Sequence, residues 1–310
     1  MRSDNNLLET YVKTLVDKAD LKNIPSKKDV DLVFDGGAFN GAIEQGIAMY
    51  IKELEHANKM NVCRVSGCSV GAFIALIYIT NKNLDVEQMF VGISEHFKST
   101  LNLQEYTECA KKLVYEHITD EDLNMLNGIL HIVYYDMDIS KQVVENQFKT
   151  KEHLYNCLLR TSHIPFVSNT EMKCEGRYID GLAPHIFRDG QREVLFISTL
   201  TRHKISRAFV SHTEVNCSSR LLCGVADADE FFTRGSSEMC SWTRDWWFHD
   251  YIWLRFRELF FFLVIWIINV ILHLKHSAPE FLTDSLISHG IQKGVIGLFT
   301  DFAYHILKTY

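Results

Sequence analysis

No two of the eight cysteines in this chain stand at C-x-x-C spacing. Scattered thiols of this kind give no zinc site and no readable disulfide framework. Cys63 and Cys68 fall inside apolar segments, where a reduced thiol behaves as a small hydrophobe, so a reducing, intracellular setting is expected. Positive charge is also short. A net charge of −7 and a pI near 6.1 leave no basic footprint for nucleic acid. The first 22 residues carry charges throughout and lack an unbroken apolar stretch, so no secretory signal peptide is expected.

What is present is a chain of 310 residues with 47% hydrophobic content, enough for one large α/β domain and an appendage. Leu7, Leu8, Tyr11, Val12, Leu15 and Val16 recur at helical spacing, which predicts an amphipathic helix over residues 5–19. A buried strand follows at 31–34, then the loop Asp35-Gly36-Gly37-Ala38-Phe39-Asn40-Gly41 and a helix over 42–54. Consecutive glycines between strand and helix allow main-chain N–H groups to converge on an anion, whether phosphate or oxyanion. A plain tight turn is the alternative. The spacing fits neither the G-x-G-x-x-G of a dinucleotide fold nor the G-x-x-x-x-G-K of a phosphate loop.

A strand over 61–66 runs into Val65-Ser66-Gly67-Cys68-Ser69-Val70-Gly71. A G-x-S-x-G between strand and helix sets a serine on a sharp elbow with its hydroxyl projecting from the sheet, at the positive end of the helix dipole. An ordinary strand-to-helix turn would read the same way in isolation. The helix that follows, 72–79, is apolar on nearly every side and belongs at the centre of a domain. Residues 84–127 read as largely helical, with the acidic run 116–122 a solvated face. A strand at 130–135 carries His131, read as structural; helical spacing returns over 139–159; and a further strand covers 194–200. Between these last two lie Thr161-Ser162-His163-Ile164-Pro165-Phe166 and the turn dipeptide Asp180-Gly181, which would set a carboxylate on a tight loop facing the serine.

Together the Gly-rich loop, the G-x-S-x-G elbow, the Thr161–Phe166 stretch and the late Asp-Gly resemble the patatin-like phospholipases, over about residues 32–183. The resemblance implies a three-layer α/β/α sandwich and an acyl hydrolase that works without cofactor or metal. It implies Ser69 as nucleophile, Asp180 as its partner in a Ser–Asp dyad, and the amides of Gly36, Gly37 and Ala38 as oxyanion hole. Three positions depart from the family pattern. Ala38 replaces the third glycine, which requires φ < 0 there; Asn40 replaces the usual basic residue, leaving the site without a positive charge; and Leu182 follows Asp-Gly in place of Gly or Ala. The competing assignment is a Ser–His–Asp triad drawing on His185, His203 or His212. A fold that has lost turnover, and a triacylglycerol or lysophospholipid lipase, are the other readings.

The last third is different in character. All five tryptophans lie at or beyond Trp242, and residues 259–274 are almost wholly apolar, with Arg255, Arg257 and Glu258 before them and Lys275 after. As a helix this run would extend roughly 24 Å, against a hydrocarbon core of roughly 30 Å. It is expected to reach the membrane, as a transmembrane helix or an inserted anchor spanning 251–276. A second apolar stripe over 284–307, interrupted by Gly290, Gly294 and Gly297, would lie on the bilayer or pair chains into a homo-oligomer. The expected organisation is an N-terminal helix and linker (1–28), a catalytic domain (29–212) and a helical membrane-associating region (213–310). Phospholipid or another acyl-ester lipid is the expected partner, at an intracellular membrane.

Overall fold

The computed structural model describes residues 2–82, 86–100, 102–165, 167–169, 171–200, 214 and 216–277. The chain divides into two compact units, Met1–Trp246 and Trp247–Tyr310. The first opens with α1 (Arg2–Lys18), which buries Val12 and Val16. Then come β1 (Asp29–Phe34), α2 (Gly41–His56), β2 (Asn61–Cys68) and α3 (Val70–Thr80). Helices α4 (Val86–Thr100), α5 (Glu105–Lys112) and α6 (Asp120–Leu126) follow, with a π turn at Leu113–His117. The remainder is β3 (Leu130–Asp136), β4 (Lys141–Glu145), α7 (Lys151–Thr161), β5 (Tyr178–Asp180), β6 (Glu193–Ile197), α8 (Ser218–Arg234) and β7 (Cys240–Trp242).

The strands form one mixed sheet in the order β4-β3-β2-β1-β6-β7, flanked by helices in a three-layer α/β/α arrangement. Its middle is parallel, β3-β2-β1-β6, and its periphery antiparallel. Every residue of β3 is buried, as a strand covered on both faces must be. The α3 helix is apolar on all sides because it too is enclosed: Ala72, Ala75 and Leu76 have no exposed surface. Helices α2 and α8 cross at two glycines. A Cβ on Gly46 would lie 2.1 Å from the Leu221 carbonyl oxygen, and one on Gly224 would lie 2.0 Å from that of Ile43. Only residues without a side chain allow backbones so close.

One strand does double duty, and the site depends on it. The first half of β3 pairs in parallel with β2, Cys68 opposite Val133. Its second half pairs antiparallel with β5, Asp180 opposite Tyr134. The end of β2 and the end of β5 therefore meet along one edge of β3. Asp180 closes a strand; it does not sit on a free loop as expected.

Two further expectations are corrected. Residues 139–159 are not one helix, because 141–145 form the edge strand β4, pairing Val143 and Val144 with Tyr134 and Val133. The turn before it is fixed by Asp136, whose carboxylate accepts the N–H groups of Asp138 and Ile139. The boundary expected at 212–213 also shifts: α8 packs on α2 and β7 pairs with β6, so both belong to the first unit, as does α1. The acidic run does structural work, with Thr119 and Asp122 forming a capping box at α6 and Asp122 pairing with Lys82.

The second unit contains α9 (Phe248–Ser277). Among the described residues no helix is long and apolar enough to cross a membrane, which corrects the expected transmembrane helix. The first turns of α9 carry Asp250, Arg255, Arg257 and Glu258, so its length is not matched by an equally long apolar run. The stripe at 284–307 lies outside the described residues.

Candidate active site

Ser69 is the residue on which β2 ends and α3 begins, and it holds φ 55 and ψ −132. A non-glycine residue in that region is strained and persists only where its surroundings fix it. They do so here in two ways. The flanking glycines let strand and helix touch: a Cβ on Gly67 would lie 2.4 Å from the Gly71 carbonyl oxygen, and one on Gly71 would lie 2.7 Å from that of Phe34. The Ser69 N–H is tied down as well. It donates to Thr161 Oγ1 at 2.9 Å, and the Thr161 hydroxyl donates in turn to the Val133 carbonyl of β3. Thr161 is fully buried, so this strut is shielded from water. Nothing in the sequence marks Thr161 for that role beyond its place next to Ser162.

Ser69 and Asp180 are brought together. The Asp180 carboxylate accepts hydrogen bonds from the Leu182 N–H at 3.0 Å and from the Cys68 thiol at 3.4 Å, and the nearby Ser69 hydroxyl helps to lower its pKa. It is 9% exposed. Burial pushes its pKa above the ordinary carboxylate value, the Leu182 N–H, the Ser69 hydroxyl and the Cys68 thiol pull it back, and Asp35 adds a smaller upward push. An acid so placed is more basic than a surface aspartate, which suits a group that must take up a proton. Leu182 reaches back to Asp180 from a positive φ of 64, a turn conformation that glycine would adopt with less strain.

The Gly-rich loop differs from expectation at three points. Ala38 adopts φ 48, so the negative φ expected for a residue replacing glycine is not what the fold uses. It follows Gly36 and Gly37, at φ 91 and 143, and opens the 3-10 turn Ala38–Asn40. The Gly36 N–H is already engaged, donating at 2.8 Å to Glu44 Oε1 on α2. Among the described residues the Gly37 and Ala38 N–H groups have no protein partner, so two of the three expected amides are open. Finally, a cation does stand by the loop. Arg220 of α8 donates to Asn40 Oδ1 at 2.8 Å and is ion-paired with Glu214 at 2.7 Å. The family's loop charge is thus replaced by a neutral amide backed by a paired guanidinium. Asn40 also donates to the Thr199 carbonyl, just beyond β6.

Glu44 is fully buried, and its second carboxyl oxygen has no partner. Burial and the neighbouring Asp35 raise its pKa well above 4.5.

Ser69 opens onto an apolar cavity of about 130 Å³, lined by Ala38, Val70, Phe73, Ile77, Phe90 and Ile164 among others. Val70, Phe73, Ile74 and Ile77 lie on one side of α3, so the cavity follows that helix for roughly 10 Å from the serine. Among the described residues no charged side chain lines it.

The triad alternative gains nothing. Among the described residues no histidine side chain is hydrogen-bonded to Ser69 or Asp180; the one histidine contact is main-chain, the Asp180 N–H donating to the His163 carbonyl at 2.9 Å. His185 donates its backbone N–H to Ser66 Oγ, and its ring stacks on that of His131, both edge-on to Phe187. His203 and His212 lie outside the described residues. His131 is structural, bonded to the Ile129 carbonyl and to Asn146.

Comparison with protein families agrees with this arrangement. Residues 32–183 match the family model described as patatin-like phospholipase. The family implies lipid acyl hydrolase activity. No curated protein matches the chain.

Proposed function

We propose that this patatin-like phospholipase domain cleaves the acyl esters of phospholipids through a Ser69–Asp180 dyad. The carrying observation is a buried carboxylate that the Ser69 hydroxyl stabilises, with Ser69 itself lining an apolar cavity. Ser69 Oγ attacks the ester carbonyl carbon as its proton passes to Asp180. The tetrahedral oxyanion is held by the Gly37 and Ala38 N–H groups, at the N-terminal end of α3, where the helix dipole adds to their effect. Asp180 then gives its proton to the departing alcohol oxygen, leaving an acyl ester on Ser69. Water attacks that ester while Asp180 takes up its proton, and Asp180 returns the proton to Ser69 as the fatty acid leaves. The acyl chain lies along α3, in the cavity. The test uses vesicles carrying labelled phospholipid, with triacylglycerol emulsion and lysophospholipid as parallel arms. Release of fatty acid by the wild type and its loss in Ser69→Ala and Asp180→Asn is the expected result. A folded protein that neither releases fatty acid nor labels at Ser69 with a fluorophosphonate would remove the proposal and favour a non-catalytic fold.

We also propose that the protein works at an intracellular membrane surface. Supporting this, α9 exposes Phe248, Ile252, Trp253, Phe256, Leu259 and Trp266 along its length. Aromatic side chains prefer the interface between headgroups and acyl chains. Eight free thiols suit a reducing compartment. Flotation with liposomes checks this: Phe256→Glu with Leu259→Glu should leave the protein in the dense fraction, and continued flotation would refute the role of α9.

A further inference from the structure

We infer that Thr199 is a positioning residue for the oxyanion hole: its buried hydroxyl fixes the Gly36–Gly37 peptide and thereby aims the Gly37 N–H. The inference rests on the reading of Ser69 as nucleophile and of the Gly-rich loop as its oxyanion hole. Thr199 lies just beyond β6, is fully buried, and stands 163 residues from Gly36 in the chain. Its Oγ1 donates to the Gly36 carbonyl oxygen at 2.9 Å. That carbonyl and the Gly37 N–H belong to one planar trans peptide, so they point in opposite directions. Holding the first sets the direction of the second, away from Thr199. The loop itself runs beside the nucleophile, since a Cβ on Gly36 would lie 3.2 Å from that of Ser69.

The two open amides of the loop share this construction. The Ala38 N–H belongs to the same peptide as the Gly37 carbonyl, which accepts the Asn40 N–H at 2.9 Å. That peptide is fixed by the loop's own backbone, whereas the Gly36–Gly37 peptide is held from another segment, by Thr199. It needs holding. A peptide between two glycines turns over by rotation about Gly36 ψ and Gly37 φ, with no Cβ on either side to resist. Turned over, it would present a carbonyl oxygen, in place of an N–H, to the negative charge that develops on the substrate. The hydroxyl lies close against the loop at this point, for a Cβ on Gly37 would stand 2.5 Å from Thr199 Oγ1. The Thr199 carbonyl holds the same loop a second time, accepting from Asn40 Nδ2 at 3.3 Å.

The experiment compares wild type, Thr199→Val and Thr199→Ser for kcat and KM on p-nitrophenyl butyrate, inhibition by a trifluoromethyl ketone, and Tm. The ketone takes Ser69 Oγ onto its carbonyl carbon and so carries the oxyanion without turnover. Valine keeps the shape of threonine and lacks the donor; serine keeps the donor and lacks the methyl. Thr199→Val should lower kcat about ten- to a hundredfold, leave KM within about twofold, and weaken ketone inhibition by a factor similar to that on kcat. Thr199→Ser should keep kcat and inhibition near wild type, even where its Tm falls as far as that of the valine variant. A merely structural threonine would give a kcat that tracks Tm in both variants, and that result overturns the inference. So does a kcat within about twofold of wild type in Thr199→Val, or a fall in kcat without weaker inhibition. If Thr199→Val does not fold, Thr199→Ala, which also lacks the donor, decides by the same readings. Failure of both to fold assigns the hydroxyl to stability and overturns the inference. Ser69→Ala separates this idea from the reading beneath it. If the wild type has no Ser69-dependent turnover, the nucleophile assignment falls and the role of Thr199 with it. Ser69-dependent turnover with an indifferent Thr199→Val removes only the latter.

Discussion

Replacing Glu44 by glutamine should make this protein more stable as pH rises, relative to wild type. Glu44 is fully buried on α2, one oxygen accepting the Gly36 N–H at 2.8 Å and the other unpaired. Burial, with Asp35 nearby, raises its folded pKa well above 4.5. Below pH 4.5 the carboxyl is neutral in both folded and unfolded chains, and the wild type and the glutamine variant are close to equivalent. Above it the unfolded chain releases a proton that the folded one retains. Stability conferred by the neutral acid is then lost progressively, until pH passes the folded pKa. Over that interval the wild type should lose about 1.4 kcal/mol per pH unit against the glutamine variant, which has no proton to release. Other titrating groups are common to both proteins and cancel. Urea unfolding of the pair at intervals from pH 4.5 to 8 gives the difference directly. A difference that stays flat across the series would refute the buried neutral acid. Glu44→Ala is the complement: the Gly36 N–H loses its acceptor, and about 2–4 kcal/mol should go at every pH, from the orphaned donor and the vacated volume.

Four other outcomes follow from the geometry. Cys68→Ala removes one hydrogen bond from Asp180, so the acid limb of the kcat/KM profile should move up by as much as about one pH unit, and Cys68→Ser should restore it; superimposable profiles would show that the thiol does not bear on Asp180. Gly224→Ala drives a Cβ to 2.0 Å from the Ile43 carbonyl oxygen and should lower Tm by about 5 °C or more, measured by circular dichroism. Burial holds the pKa of His131 and His185 below 6.5, so wild-type stability should fall as pH drops through 6.5 toward their folded values, and His131→Gln should flatten that fall in melts at pH 7.5 and 5.5. Ile77→Trp fills the far end of the cavity and should cut palmitoyl against butyryl ester turnover about tenfold, a ratio that would not move if the acyl chain lay elsewhere.

Which parts of this site could be read from the chain depended on how local their causes are. The elbow was legible because strand, glycines and serine are contiguous, and the same holds for α3, whose unbroken apolar surface announces a buried helix. Asp180 was legible only through its Asp-Gly neighbour; that it faces Ser69 depends on β3 pairing with β2 and β5 in succession, a register no local pattern contains. Glu44 lies in an ordinary helical stretch, and its bond to Gly36 exists only once α2 folds back beneath the loop. Thr161 and Arg220 were invisible for the same reason, since their partners are 92 and 180 residues away. Ala38 misled because alanine disfavours positive φ, which the fold nonetheless uses here. Val143 and Val144 misled because an edge strand bordered by charges resembles the polar side of a helix.

The struts of the Gly-rich loop have an evolutionary corollary. Thr199 and Arg220 both brace Asn40, and both lie beyond residue 183, where the family's recognisable sequence ends. The motif residues and these two braces of Asn40 thus lie on different segments. Descendants could keep every motif residue and still diverge in rate, by drift in α8 alone. A graft of residues 32–183 into another scaffold would carry the motifs without Thr199 and Arg220. Directed evolution of this protein would do well to begin at Arg220 and Glu214, and to leave the serine elbow untouched.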